Sequence, residues 1–357
     1  MQHKIYFTPG PSQIFYTVED HLKSALNEDV MCISHRSANF QAIFAHARAE
    51  LSKLLNLPEG YDIYFTSSAN EVWERIIQNL VEKQSHHFVN GSFSKKFHQF
   101  ALDYQKSSTA TKVEDGGDFK DLSVPDEAEL ISVTLNETSI GYTFPIEKIK
   151  ELRAQNPDKL IALDAVSAFP AIPFDLNLVD TAYFSVQKCF GLPAGLGVWI
   201  VNQKCHATAT NLEAKGHITG SYHSLAQLKA QGDKYQTPET PNILGIYLLG
   251  KVAEDMNRRT ARQIQNDTSY KAALLYQAIS ESNSLEPFVE SKECRSKTVV
   301  VAKVNDGNEA ILKSMTEKGW IVGKGYGSYK GDHIRIANFP VHSKEQIEQM
   351  ADFLTKQ

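Results

Sequence analysis

The segment DTAYFSVQKCFGLPAGLGVWIV, residues 180–201, contains two short apolar runs separated by a single lysine, Lys188. Runs of this length, bounded by Gly and Pro, predict buried strands at 180–185 and 197–201. The Gly/Pro-rich stretch after Lys188 predicts a turn, in which the backbone can approach other groups closely. A lysine between two buried strands is either unfavourable for folding or central to the chemistry of the protein.

Apolar runs of the same kind recur earlier in the chain and alternate with polar segments of helical periodicity. This alternation predicts an α/β domain with a mostly parallel mixed sheet. Polar residues at the carboxyl ends of such strands line the crevice where ligands bind. The earlier runs are DIYFT (62–66), HHFV (86–89), ELISVT (129–134) and KLIALD (159–164).

The pattern changes near residue 245, where a long helix predicted at 242–259 leads into further helical sequence. The apolar runs that follow are TVVVAKV (298–304), GWIVG (319–323) and HIRIANF (333–339). They predict a smaller C-terminal α+β domain. We therefore predict a large domain over 15–245 and a small domain formed by 246–357 together with an N-terminal arm, 1–14.

The composition excludes several classes of protein. Of the 357 residues 42% are hydrophobic and the formal net charge is −5, so no global basic field exists to hold nucleic acid. No run approaches the roughly 20 apolar residues of a membrane-spanning helix, and the N-terminal sequence lacks the apolar run of a signal peptide. The four cysteines have no CxxC pairing, which predicts reduced thiols, no metal site and a cytoplasmic location.

Three polar groups are predicted to lie where strands end. SSANE (67–71) opens a predicted helix and suits either an anion site or an ordinary Ser cap. Asn136, Glu137 and Thr138 follow another strand, where a turn and a ligand site are equally good explanations. Asp164 ends a wholly apolar strand, so its carboxylate needs a partner, either a helix N-terminus or a cationic ligand nitrogen.

Lys188 follows Asp164 by 24 residues, about one strand–helix–strand step, so both side chains can reach the same crevice. A lysine kept from water has a lowered pKa, and its neutral amine is a nucleophile toward carbonyl groups. An anion site, an acid and a nucleophilic lysine together suggest pyridoxal 5'-phosphate (PLP) as cofactor.

The segment SVQKCFGLPAGLG resembles the lysine segment of the class V aminotransferases, which are PLP-dependent enzymes of fold type I. The residue just before the lysine, Gln187, resembles the one found at this position in the phosphoserine aminotransferases of that family. The resemblance covers nearly the whole chain, and the lysine segment and the Asp164 spacing are its most specific parts. Its other motifs, in the family's order, are ISHRSANF (33–40), NETSIGY (136–142), LDAVSAF (163–169), QTPETPN (236–242) and HIRIANF.

The resemblance implies transfer of an amino group between an amino acid and a 2-oxo acid, with phosphoserine and 2-oxoglutarate as the expected pair in serine biosynthesis. Lys188 would be joined covalently to PLP, Asp164 would pair with the ring nitrogen, and Arg335 would bind the substrate α-carboxylate. The other cofactor contacts would be Phe93 on the ring, Thr138 at the ring hydroxyl, and Ser68, Ala69, Asn70 and Gln187 around the phosphate, with Gln236 and Thr237 from the other subunit of a homodimer. Without the resemblance, Phe93 suits a core position and Arg335 a surface ion pair.

Two features depart from the family pattern. The phosphate loop is poorer in glycine than usual and lacks an Arg. Phosphoserine enzymes usually bind the substrate phosphate with two His-Arg pairs, and His35 and Arg36 form one, from the neighbouring subunit. Lys324-Gly325 stands where the second is expected, so Lys324 would bind the phosphate as a point charge, with one donor lost. An alanine/serine–glyoxylate-type aminotransferase is therefore the alternative. A cysteine desulfurase-like lyase is a weaker one, since its only candidate thiol, Cys294, suits a plain surface position.

Overall fold

The computed structural model describes residues 4–357. Within that range the strands are β1 (Ile5–Phe7), β2 (Tyr61–Thr66), β3 (Gln84–Val89), β4 (Ser107–Lys112), β5 (Leu130–Thr134), β6 (Asn136–Glu137), β7 (Tyr142–Thr143), β8 (Leu160–Asp164), β9 (Thr181–Ser185), β10 (Gly197–Asn202), β11 (Leu285–Pro287), β12 (Val299–Val304), β13 (Trp320–Lys324) and β14 (His333–Ala337). The α-helices are α1 (Val18–Asn27), α2 (Ala38–Leu54), α3 (Ala69–Leu80), α4 (Ser92–Asp103), α5 (Ile146–Gln155), α6 (Gln203–Ala214), α7 (Leu225–Gly232), α8 (Ile243–Arg259), α9 (Ala261–Glu281), α10 (Glu309–Glu317) and α11 (Lys344–Leu354).

A sheet of seven strands, in the order β2-β10-β9-β8-β5-β3-β4, forms the larger part of the molecule. The strands from β9 to β4 are parallel, whereas β10 runs antiparallel to both of its neighbours. Every residue of β5, β8 and β9 is buried, as expected for strands covered by helices on both faces. The predicted α/β class with a mostly parallel mixed sheet is therefore confirmed.

A second sheet of five strands has the order β1-β13-β14-β12-β11 and is antiparallel except for the β1–β13 pair. Its apolar face packs against α9 and α11 in a separate core cluster that includes Phe7, Leu275 and Ile334. Helix α8 runs across residue 245 and packs against α2. The domain boundaries stay a prediction, and residues 1–3 of the predicted arm lie outside the described range.

Strand β4 was not predicted, because its sequence SSTATK carries no apolar run. It forms the edge of the seven-stranded sheet, where half-exposed polar residues are tolerated. No helix within residues 4–357 has the length and apolar character needed to cross a bilayer.

The parallel register brings the carboxyl ends of three central strands together. Thr134, the last residue of β5, is paired with Asp164, the last residue of β8, and Asp164 is paired with Tyr183 of β9. Ser185 ends β9 two residues later, and Lys188 follows in the next turn. The sheet thus places Asp164 and Lys188 at the same edge, as the sequence spacing predicts.

Candidate active site

A cavity of about 190 Å³ lies at this edge of the sheet. Its wall combines strand ends, the start of two helices, the N-terminal arm and the smaller sheet. The residues that line it are Pro9, Gly10, Ala69, Asn70, Trp73, Phe93, Thr134, Asn136, Thr138, Asp164, Val166, Ser185, Gln187, Lys188, Tyr326 and Arg335. Eight of the fourteen residues expected to bind cofactor or substrate are among them.

Lys188 is buried, with 6% of its surface exposed, and its Nζ donates a hydrogen bond of 2.9 Å to Thr138 Oγ1. The same nitrogen lies 5.2 Å from the centre of the Phe93 ring. Burial lowers the pKa of Lys188 to about 8, against the opposing effect of the nearby Asp164 carboxylate. The turn at 188–191 therefore presents an amine that can lose its proton near physiological pH.

Asp164 is 4% exposed and its Oδ1 accepts a hydrogen bond of 3.0 Å from the backbone N–H of Val166. Burial raises the pKa of this carboxyl to about 6, while the Val166 N–H and the charge on Lys188 limit the rise. The bond closes a local turn, so the ordinary helix cap considered from the sequence is not its role. The carboxylate lines the cavity and can pair with a cationic nitrogen placed there.

Helix α3 begins at the cavity wall. Ser68 is its N-cap, since its hydroxyl accepts a hydrogen bond from the Glu71 N–H, and the Ala69 N–H donates to Ser185 Oγ. Asn70 is exposed at the cavity surface. The cap and the anion site considered from the sequence are compatible, because the first-turn amides remain next to the cavity.

Helix α4 begins on a second side of the cavity and carries Phe93 in its first turn. The fully buried carboxylate of Glu137 accepts hydrogen bonds from the N–H groups of Phe93 and Ser94 and from the hydroxyls of Ser94 and Ser139. A carboxylate at a helix N-terminus complements the exposed amides and the helix dipole. Glu137 therefore fixes the start of α4, and with it the position of the Phe93 ring.

The smaller sheet contributes Arg335, whose Nε donates to the Lys324 carbonyl at 2.8 Å and whose Nη1 donates to the Thr138 carbonyl at 3.4 Å. Its guanidinium lies 5.2 Å from the centre of the Tyr326 ring. Burial lowers the pKa of Arg335 to about 10, which leaves it cationic at neutral pH. Lys324 is exposed and does not line the cavity.

Two segments, His35–Arg36 and Gln236–Thr237, were expected to contact the active site of a neighbouring subunit. They form one cluster, and none of their residues lines the cavity of this chain. Arg36 Nη1 donates to the Gln236 side chain at 2.9 Å and to the Thr237 carbonyl at 2.8 Å. His35 is half-buried beside them, and burial together with the Arg36 charge lowers its pKa. The single chain brings these four residues together but does not place them at its own cavity.

His223 connects this cluster with α3. Its Nδ1 bonds to Glu71, and its Nε2 lies 2.8 Å from Glu239, next to the Gln236–Thr237 segment. Burial disfavours the charged imidazolium, but the bonds to Glu239 and Glu71 outweigh it and raise the pKa of His223 to about 9. A protonated His223 thus links the start of α3 to Glu239 through charge-assisted hydrogen bonds.

Two of the residues that line the cavity, Gly10 and Tyr326, could not be predicted from the sequence pattern. Gly10 has a φ of +134° and packs against the Lys188 side chain, so the N-terminal arm closes over the lysine. The Pro/Gly turn in FTPGPSQ (7–13) suits the predicted N-terminal arm, but no local pattern indicates where an arm ends in space. Tyr326 lies in a Gly-rich loop that offers no periodicity.

Cys294 is 2% exposed, so the expectation of a plain surface thiol was wrong. Burial raises its pKa, while the Ser291 side chain bonds to it and opposes the rise. A thiol that is buried and protonated is a poor nucleophile. This removes the only thiol considered for the desulfurase alternative.

Comparisons with known proteins agree with this geometry. The model of the class V aminotransferase family matches residues 5–329. A crystal structure of a phosphoserine aminotransferase from Cytophaga hutchinsonii is 45% identical, with a TM-score of 0.97 over 99% of both chains. The phosphoserine aminotransferase of Rhodococcus opacus is 26% identical over 352 residues, which cover 96% of this chain and 92% of the relative.

The fold also occurs with another activity: an alanine–glyoxylate aminotransferase from Nostoc sp. is 19% identical, with a TM-score of 0.79 over 99% of this chain and 95% of that one. A likeness at that identity concerns the fold alone. The family model, by contrast, spans most of the chain, from the arm over Lys188 to the loop that carries Tyr326. The chain is a member of the class V aminotransferase family, with the fold type I architecture.

Proposed function

We propose that this aminotransferase uses PLP to exchange an amino group between phosphoserine and 2-oxoglutarate, in serine biosynthesis. The observation that carries the proposal is the buried Lys188 beside the buried Asp164 in a cavity whose wall also contains Arg335. Phosphoserine as the substrate is supported by the likeness to the phosphoserine aminotransferases of Cytophaga and Rhodococcus. The glyoxylate-type alternative rests only on Lys324-Gly325 in place of the second His-Arg pair, and the 19% identical alanine–glyoxylate aminotransferase shares only the fold.

The chemistry of the cavity wall fits PLP. A buried carboxylate suits a protonated ring nitrogen, a buried lysine suits the aldehyde, and the start of α3 suits a phosphate. In this proposal Asp164 and Lys188 would hold the ring, with Phe93 and Thr138 as its further contacts. Ser68, Ala69, Asn70 and Gln187 would bind the phosphate, together with Gln236 and Thr237 from the second subunit of a homodimer.

When bound, PLP supplies a sink for the electrons left on the substrate Cα after its proton is removed. Lys188 moves that proton as general base, because burial keeps its pKa near 8 and a neutral amine is accessible. Thr138 holds Nζ by its hydrogen bond, and Gly10 closes the arm over the side chain and limits access of water. Asp164 keeps the ring nitrogen protonated.

The residues proposed to bind the substrate come from both sheets and from both subunits. Arg335 binds the α-carboxylate as a planar, bidentate donor. His35 and Arg36 reach the second acidic group from the partner subunit, and Lys324, whose carbonyl accepts a hydrogen bond from Arg335, adds a point charge for the phosphate. The free cysteines fit the predicted cytoplasmic location, where thiols remain reduced.

Steady-state kinetics with purified holoenzyme test the proposal. Phosphoserine, glutamate, serine and alanine are compared as amino donors, and release of the 2-oxo acid is measured. We expect the highest kcat/KM with phosphoserine when 2-oxoglutarate is the acceptor. Equal or better rates with alanine or serine and glyoxylate would replace this assignment with the glyoxylate-type alternative.

A further inference from the structure

We infer that Lys96 is a specificity-determining residue that binds the second anionic group of the substrate, the phosphate or the side-chain carboxylate. The inference rests on the proposed aminotransferase function and adds a residue that the sequence motifs do not indicate. Lys96 is the fifth residue of α4, three residues after Phe93. Side chains with this spacing share one face of a helix.

Lys96 does not itself line the cavity, but its ammonium group contacts two residues that do, Phe93 and Tyr326. Its Nζ donates a hydrogen bond of 2.8 Å to the Tyr326 hydroxyl. The same nitrogen lies 5.4 Å from the ring centres of both Phe93 and Tyr326. These contacts orient an exposed lysine toward the cavity.

Lys96 also retains the capacity to bind an anion. A lysine ammonium has three N–H donors, and Tyr326 accepts one. Within residues 4–357 no carboxylate forms an ion pair with Lys96, so its charge is not neutralised by the protein. A phosphate or carboxylate beside Phe93 and Tyr326 would accept hydrogen bonds from the remaining N–H donors of Lys96.

The rings of Phe93 and Tyr326 each contact Lys96 and also one cationic residue of the cavity wall. Lys188 Nζ is 5.2 Å from the centre of the Phe93 ring, and the Arg335 guanidinium is 5.2 Å from the centre of the Tyr326 ring. Each of these rings also contacts Lys96. Lys96 is therefore separated from Lys188 and from Arg335 by one shared ring in each case, and we infer that the anionic side chain of a substrate bound between those two cations reaches it.

Three variants separate this role from general effects of charge. Lys96→Met removes the charge and keeps the length of the side chain, whereas Lys96→Arg keeps the charge. Lys95→Met is the matched control, because Lys95 is the exposed neighbour in the same helix but, within residues 4–357, makes none of the contacts to Phe93 and Tyr326 that Lys96 makes. Single-turnover rates of each holoenzyme are measured with phosphoserine, glutamate and alanine.

We expect Lys96→Met to lower kcat/KM by about 10- to 100-fold with phosphoserine, less with glutamate and not with alanine, because only the first two carry a second anion. Lys96→Arg should restore most of the loss, and Lys95→Met should match the wild type. Equal losses with all three donors, or no loss with phosphoserine, would overturn the inference.

The wild-type rates keep the two proposals distinguishable. If the wild type prefers phosphoserine and Lys96→Met keeps that preference, only the role of Lys96 is wrong. If the wild type prefers glutamate and does not use phosphoserine, a loss confined to glutamate supports Lys96 and rejects the proposed substrate. If the wild type shows no preference for donors with a second anion, both proposals are rejected.

Discussion

Lys188 and Gly10 illustrate how much the site depends on single atoms. A Cβ added at Gly10 would lie 2.8 Å from Lys188 Cε, and the φ of +134° is one that side chains rarely adopt. Lys188 was predicted from its own segment, because a lysine among apolar residues is a local signal. Gly10 was not, because its contact joins residues 178 positions apart in a 357-residue chain.

Gly10→Ala is therefore expected to displace Lys188 and to lower kcat by at least about 10-fold, since small displacements of a catalytic group are costly. The strained backbone should also lower the free energy of unfolding by about 1–3 kcal/mol. Enzyme assays and urea unfolding measure the two effects. Gly216→Ala is the control, because Gly216 has a φ of +83° and open space around it.

The control should share the loss of stability but not the loss of activity. If Gly10→Ala retains wild-type kcat, the arm does not position Lys188.

At the scale of elements, the start of α4 depends on a carboxylate from another part of the chain. Glu137 belongs to β6, and its bonds to Phe93, Ser94 and Ser139 were not predicted. The sequence placed Glu137 at a strand end, where a turn and a ligand site were equally good explanations. The structure gives a third role, a helix cap supplied from 43 residues away.

Glu137→Gln should lower the free energy of unfolding by about 2–4 kcal/mol. The side-chain NH2 of the glutamine cannot accept a hydrogen bond, so some of the backbone N–H groups at the start of α4 lose their acceptor, and the negative charge at the helix N-terminus is lost. The substitution should also weaken PLP binding through movement of Phe93. Urea unfolding and a PLP titration provide the measurements. Glu127→Gln, at an exposed loop position, is the control and should change neither.

Wild-type stability and PLP affinity in Glu137→Gln would show that α4 is positioned without this cap.

The strands show which elements local sequence can predict. The apolar runs that became β5, β8, β9 and β10 lie inside the sheet and are almost wholly buried, so hydrophobicity alone marks them. Strand β4 and the three-residue β1 and β11 lie at sheet edges, where pairing rather than composition makes the strand. The role of Phe93 was expected only from family resemblance, since its segment alone suits a core position.

At the scale of the whole molecule, His223 joins the start of α3 to the Gln236–Glu239 segment through Glu71 and Glu239. Ser67 and Arg75 also contact Glu71, with Arg75 Nε at 3.7 Å. These are the two parts of the chain assigned to phosphate binding, one for each subunit of the proposed dimer. Sequence reasoning missed the link because its three members are distant in the chain and carry no common motif.

The link predicts a pH-dependent contribution to stability. The pKa of His223 is raised from 6.5 to about 9, so its stabilisation is complete below pH 6.5 and is lost as the pH rises through about 9. The pKa of Glu71 is lowered from 4.5 to about 2, so its contribution is lost only as the pH falls through about 2. His223→Gln should therefore be less stable than the wild type at pH 6, and the difference should shrink by pH 10.

Urea unfolding of both proteins between pH 6 and pH 10 measures this difference. His217→Gln is the control, because it also removes a histidine next to a carboxylate. His217 lies 3.8 Å from Glu82 and is 36% exposed, so the ion pair removed by this change is weak. A difference between His223→Gln and the wild type that does not change with pH would contradict a protonated His223.

Lys188 is the residue that we expect to be joined to PLP. Borohydride reduction of the holoenzyme makes that bond permanent, and mass spectrometry of the digested protein locates it. We predict one modified peptide, with the pyridoxyl group on Lys188 and none on Lys271, the other lysine that is almost fully buried. A holoenzyme whose label lies on another lysine, or that binds PLP without a reducible bond, would contradict the account.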